Sequence, residues 1–189
     1  MRLLRGHAVH GFVLPLQLEM NKKTRTLTLG ALFSALTVII LYVASIWPTG
    51  QLGLVAVASL FTAAAVIETG LISGVYVYIV CSVLGLLIIP DRVAVFLYIL
   101  FLGYYPVVKS IIERNKRTVV QWVLKLLVFN SALFVIWFFV MRAALGFAGG
   151  LSPGYVTLLF LGGNVAFVVF DFGFTKLIWF YITRISRRT

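Results

Sequence analysis

Acidic residues are scarce in this sequence. Its 189 residues carry five Asp+Glu against sixteen Lys+Arg, and both of its histidines fall within the first ten residues. Beyond Glu19 the acids are Glu68, Asp91, Glu113 and Asp171, too scattered to supply the paired carboxylates or histidines that a membrane hydrolase or transferase places at one depth. No GxxxxGK[ST] or HExxH motif occurs, which excludes ATP hydrolysis by the P-loop route. The single cysteine, Cys81, excludes an intrachain disulfide and a CxxC metal site. The reading is a non-enzyme without a cofactor.

Charge of either sign is also short, at 11%, while AVILMFWYC residues make up 62% and the mean hydropathy is +1.09. A soluble domain is about 25% charged, and at this size it cannot hide so much apolar surface from water. The solvent is therefore lipid. The excess of basic residues, which in a soluble chain would suggest nucleic acid, here reads as loops held against anionic lipid, with no nucleic-acid partner.

Charges then mark out the spans. Residues 26–67 hold none, room for two helices of about 20 residues, divided by Trp47-Pro48-Thr49-Gly50-Gln51. The expectation is an all-α integral membrane protein with six transmembrane helices at about 27–46, 52–67, 69–90, 93–110, 119–144 and 155–181. One side collects Lys22, Lys23, Arg25, Lys109, Arg114, Lys116, Arg117, Arg184, Arg187 and Arg188; the other has Arg92 and Arg142. That bias places the N and C termini in the cytoplasm of a cell, bacterial by expectation, with a multi-pass chain in its plasma membrane. Residues 1–19 form a head outside this pattern, with Pro15 interrupting a short apolar run and no cleavage site of the signal-peptide kind. Met20-Asn21-Lys22-Lys23 reads as the natural start, so residues 1–19 are either a mis-assigned start or a short segment lying on the membrane. Residues 20–189 are the single six-helix domain.

Within the spans, small residues recur at one helical turn. Ala31 and Ala35 form a small-xxx-small pair extended by Gly30 and Ser34, and Gly70 and Gly74 repeat the device in span 3. In lipid such residues mark contact faces, within the chain or with a partner. Polar residues at membrane depth are costly and each needs a partner or a cavity. Asn130 lies roughly 16 Å from the inner surface and Asn164 roughly 14 Å from the outer one, so they fit either an amide bond between helices or a ligand contact. Asp171 and Lys125 are within reach of one another near the inner side, with Lys176 close by. Arg142, near the outer end of span 5, either snorkels to the interface or holds a carboxylate or phosphate arriving from outside. Tyr42, Trp47, Tyr98, Trp137, Phe138 and Tyr155 all fall in the outer half, as an aromatic belt or as the mouth of a site that stacks on a planar ligand. The turn at 47–51 and the loop at 146–154 could both act as lids. The candidate substrate-binding set is Trp47, Gln51, Tyr98, Asn130, Trp137, Arg142 and Asn164.

The basic start Lys22-Lys23-Thr24-Arg25-Thr26-Leu27-Thr28-Leu29, followed by Gly30-Ala31-Leu32-Phe33-Ser34-Ala35-Leu36 and six spans, resembles the S component of energy-coupling factor (ECF) vitamin transporters. That resemblance implies a subunit that captures a vitamin or similar small nutrient from outside. It also implies that Ala31 and Ala35 dock against a transmembrane coupling subunit, and that two ATPases on separate chains supply the energy. Two other classes remain open from the residues themselves: a small membrane scaffold of the cell-shape type, which needs no outward cavity, and a self-contained oligomeric channel or exchanger, which needs a polar lining through its full depth.

Overall fold

The computed structural model describes the backbone of residues 5–144 and 153–184, and side chains over 23–47, 49–138, 154 and 156–184. Among the described residues the chain is all helical. The elements are α1 (Arg5–Ile46), α2 (Gln51–Thr69), α3 (Leu71–Ile88), α4 (Arg92–Leu97), α5 (Tyr105–Ile112), α6 (Thr118–Ala144) and α7 (Pro153–Arg184), with a π-helical turn over Tyr98–Leu102 joining α4 to α5. Six segments are long and apolar enough to cross a membrane: Lys23–Ile46, Gln51–Thr69, Leu71–Ile88, Arg92–Ile112, Thr118–Phe138 and Val156–Arg184. They fit a multi-pass membrane protein. So do the many large apolar side chains left exposed, Leu27, Leu52, Ile72, Leu87, Leu161 and Trp179 among them. α1 continues as helix on the N-terminal side of its span, through Pro15.

Each boundary has a local cause. Pro48, Thr49 and Gly50 form a single 3₁₀ turn that reverses the chain between α1 and α2. Gly70, with φ of 98°, occupies a backbone conformation closed to most residues and lets α3 begin one residue after α2 ends. Asp91 caps α4 by accepting a hydrogen bond from the Val93 N–H at 3.1 Å.

The fourth span differs from the continuous helix expected over 93–110. Pro106 carries no N–H and cannot bond back to Leu102. The chain answers by widening: the Gly103 N–H donates to the Tyr98 carbonyl five residues back, at 2.7 Å. A methyl group on Gly103 would lie 2.7 Å from the Tyr98 ring and 2.8 Å from Tyr78, so only glycine fits. This irregular span is also the best buried, with 56% of its most apolar stretch covered, against 11% in α6 and in α7. Irregular backbone at membrane depth is tolerated where protein, not lipid, surrounds it.

α1, α2 and α3 pack closely against this central span through small residues. Ala44, Ala58 and Ala65 are fully covered, and Gly85 brings α3 against Val95. α6 and α7 are antiparallel: Trp122 meets Phe172, Phe129 stacks on Phe167 at 4.5 Å, and Gly163 faces Leu133 and Phe129. They reach the centre through aromatic rings, with Phe101 and Tyr105 each in contact with Phe167 and Phe170.

Candidate functional site

Along α1, Lys23, Leu27, Ala31 and Ala35 follow at intervals of four, so they line one face over about 18 Å. Gly30 and Ser34 lie beside them on the seam with α3. There α1 comes close: a Cβ on Gly30 would sit 4.0 Å from Val77, and the Cys81 thiol donates to the Ser34 carbonyl at 3.6 Å. Tyr76, Val80 and Leu84 of α3 form the opposite wall. Between the two walls lies an open, mostly apolar groove of about 990 Å³. Ala31 and Ala35 are exposed in it. Of the small-residue face of span 1, Gly30 and Ser34 serve the seam with α3, while Ala31 and Ala35 are left exposed among the described residues.

The second small-residue pair has another use. Gly70 is the turn itself, and Gly74 is buried where a Cβ would overlap Val66 of α2 and touch Val107 of α5. Gly70 is exposed, so only Gly74 makes an internal contact, which is the intrachain alternative for such spacing.

Trp47 and Gln51 sit together at the end of the bundle where α1 passes into α2. Trp47 is exposed, and the Gln51 amide donates to the Asp91 carboxylate, tying the start of α2 to the cap of α4. At the same end the Arg92 guanidinium donates to the Leu86 carbonyl at the close of α3. Tyr98 is elsewhere: its ring is fully covered in the core and its hydroxyl shares a 2.9 Å hydrogen bond with Thr62. Trp137 is half-buried on α6. The side chains of Arg142, Tyr155 and both histidines, residues 146–152 of the expected lid and residues 1–4 of the head lie outside the described residues.

Asn130 and Asn164 face each other across α6 and α7. Each Nδ2 donates to the other's Oδ1, at 2.9 and 3.1 Å, and also to a carbonyl of its own helix, Leu126 or Phe160, at 2.8 Å. All four amide N–H groups are thus used, the arrangement expected of an interhelical staple at this depth.

Lys125 and Asp171 do meet, at 2.9 Å. They belong to a larger cluster whose other members the sequence did not betray. Lys109 bonds the same carboxylate, and Tyr105 donates to it at 2.5 Å. Thr175 accepts from Lys109 at 2.9 Å. Glu113 accepts from Lys109 at 2.9 Å and from Lys125 at 2.7 Å. Two ammoniums therefore face two carboxylates. Three of the four groups are almost wholly buried and Glu113 is the one open to the surface. Lys109, counted above with the loop cations, is a buried member of this cluster, so one charge leaves the tally on that side. Lys176 is exposed, apart from the cluster. The available signal was the one-turn spacing of Tyr105, Lys109 and Glu113, which puts all three on one face of α5 and its end.

Six of the seven candidate ligand residues thus fall into separate settings: Trp47 and Gln51 at one end, Tyr98 in the core, Asn130 with Asn164 between α6 and α7, and Trp137 half-buried on α6; the seventh is Arg142. The groove holding Ala31 and Ala35 is open and runs sideways along the helices. No family model matches the chain, and no curated protein or solved structure matches it either.

Proposed function

We propose that this chain is the substrate-capturing subunit of an ECF-type importer. In this reading it takes a vitamin or similar small nutrient from the outer side and passes it on through a transmembrane coupling subunit driven by two separate ATPases. The observation that carries the reading is the exposure of Ala31 and Ala35 on a long groove between α1 and α3. Helices associate in lipid where small residues let backbones approach, and a groove about 18 Å long suits a helix laid along it. The resemblance of the Lys22–Leu36 segment to ECF S components names the kind of helix that would lie there. The absence of a Walker motif agrees with energy supplied by other chains.

The same reading puts both termini in the cytoplasm, with the Lys23 end of the bundle inside and the Trp47 end outside. Trp47, Gln51, Trp137 and Arg142 are then on the side from which a nutrient arrives. Co-expression with an ECF coupling subunit and its two ATPases tests the proposal. The complex should assemble, release a co-purifying small molecule identifiable by mass spectrometry, and take up that molecule only with active ATPases. Uptake by the chain alone would favour a self-contained channel or exchanger. Termini cut by external protease in right-side-out vesicles would reverse the orientation.

A further inference from the structure

On the other side of α1 lies a second concavity of different shape. Phe33 is two residues from both Ala31 and Ala35, about 200° around the helix from each, so it faces away from the groove. It closes the back of a slot of about 270 Å³ between α2 and α7. Ala63 and Ala64 form the floor, where their small side chains leave the recess, and Leu177 and Phe180 form the exposed rim. On α2 the slot runs from Val57 to Ile67, about 15 Å along the axis. That is half of a hydrocarbon core about 30 Å thick, the length of one leaflet.

The slot ends at a layer of charge. Next to Ile67, Glu68 pairs with Arg25 at 3.9 Å and accepts a hydrogen bond from the Tyr181 hydroxyl at 3.3 Å. Tyr181 itself lines the slot. One turn further along α7, the Arg184 guanidinium lies over the Phe180 ring, 5.8 Å from its centre. Arg25 and Arg184 are both exposed, so two cations flank the mouth while one of them is only loosely held by a single acid. An apolar trough one leaflet deep, with guanidinium groups at headgroup level, has the chemistry of a two-part ligand: an acyl chain carrying a phosphate.

We infer that the slot between α2 and α7 is a binding site for an anionic glycerophospholipid of the leaflet at the Lys23 end. One acyl chain lies over Ala63 and Ala64, and the phosphate group is held by Arg25 and Arg184. The site is independent of partner docking, because it uses the opposite face of α1.

Native mass spectrometry of the full chain, exchanged into detergent with equal amounts of dioleoylphosphatidylglycerol and dioleoylphosphatidylcholine, tests this. The chain should retain phosphatidylglycerol in preference to phosphatidylcholine. Arg25→Gln and Arg184→Gln should each lower that preference about fivefold. Ala64→Leu, which fills the recess, should remove retention of both lipids. Arg184→Gln alters an exposed residue, so it reports on the site even if Ala64→Leu fails to fold. Arg117→Gln removes the same charge from the exposed loop before α6 and should leave the preference unchanged. Equal retention of the two lipids overturns the inference. So does an Arg184→Gln variant with an unaltered preference, or an Arg117→Gln variant with as large a loss as Arg184→Gln.

Discussion

The two halves of the molecule are held together by different means. α1, α2 and α3 approach one another and the central span through Gly and Ala, with Ala44, Ala58, Ala65, Gly74 and Gly85 at the contacts. α6 and α7 have little buried surface. Their polar ties come at two depths, the Asn130–Asn164 amide ring and the cluster centred on Asp171, with stacked phenylalanines between. Lipid offers no hydrophobic drive to bring helices together, so a membrane protein has close packing and hydrogen bonding as its main resources. This chain uses the first where its backbone is small-faced and the second where its faces are bulky. The contrast also explains why Ala31 and Ala35 stand out: they belong to the close-packing half, yet among the described residues they stay exposed.

The contrast breaks most severely at Asp171. Asp171→Asn leaves Lys109 and Lys125 buried with Glu113 as their only carboxylate, and removing one partner from a buried ion pair costs about 3–5 kcal/mol. A large drop in the midpoint of thermal or SDS unfolding is expected. The triple variant Lys109→Leu, Lys125→Leu, Asp171→Leu should recover much of it, since a fully apolar replacement leaves no charge unpaired. If the triple variant is no better than Asp171→Asn, the cluster does more than satisfy its own charges.

In the other half the sensitive point is Gly74. Gly74→Ala forces a methyl group into Val66, and overpacking of this kind costs about 1–3 kcal/mol. A variant as stable as the parent would show that α2 and α3 separate without penalty. A smaller effect is expected for Asn130→Leu, at about 0.6–1.7 kcal/mol. A double-mutant cycle with Asn164→Leu should find most of that energy shared by the pair; additive losses would mean that the two amides act apart, leaving room for a ligand between them.

Much of the fold is legible in the sequence because the bilayer reads it so coarsely. Uncharged runs near 20 residues and the Pro and Gly between them mark all six spans to within a few residues. What escaped is what depends on rotation and depth. Pro106 and Gly103 are visible, but that they force a widened turn follows only from the Tyr98 and Tyr78 rings packed across Gly103. Lys109 sits five residues before Arg114 and looks like the start of a basic loop, until the helix turns it inward onto Asp171. Asp171 and Lys125 could be matched by depth alone, since each charge at that depth needs a partner. Tyr98 could not be placed, because an aromatic ring is equally at home in a belt or in a core. The Ala31–Ala35 pair and the Gly70–Gly74 pair have the same spacing, and nothing in that spacing says that one faces outward and the other faces Val66.

The direct test of the outward-facing claim is Ala31→Trp combined with Ala35→Trp, read for stability of the isolated chain and for co-purification with an ECF coupling subunit in the same preparation. Two tryptophans one turn apart raise a ridge in the groove. Because lipid accepts a bulky apolar side chain as readily as a small one, the isolated variant should unfold at the midpoint of the parent and fail to assemble. A variant that unfolds early, by the margin expected of Gly74→Ala or more, would place this face in the internal core and contradict the account. So would a stable variant that still assembles as the parent does.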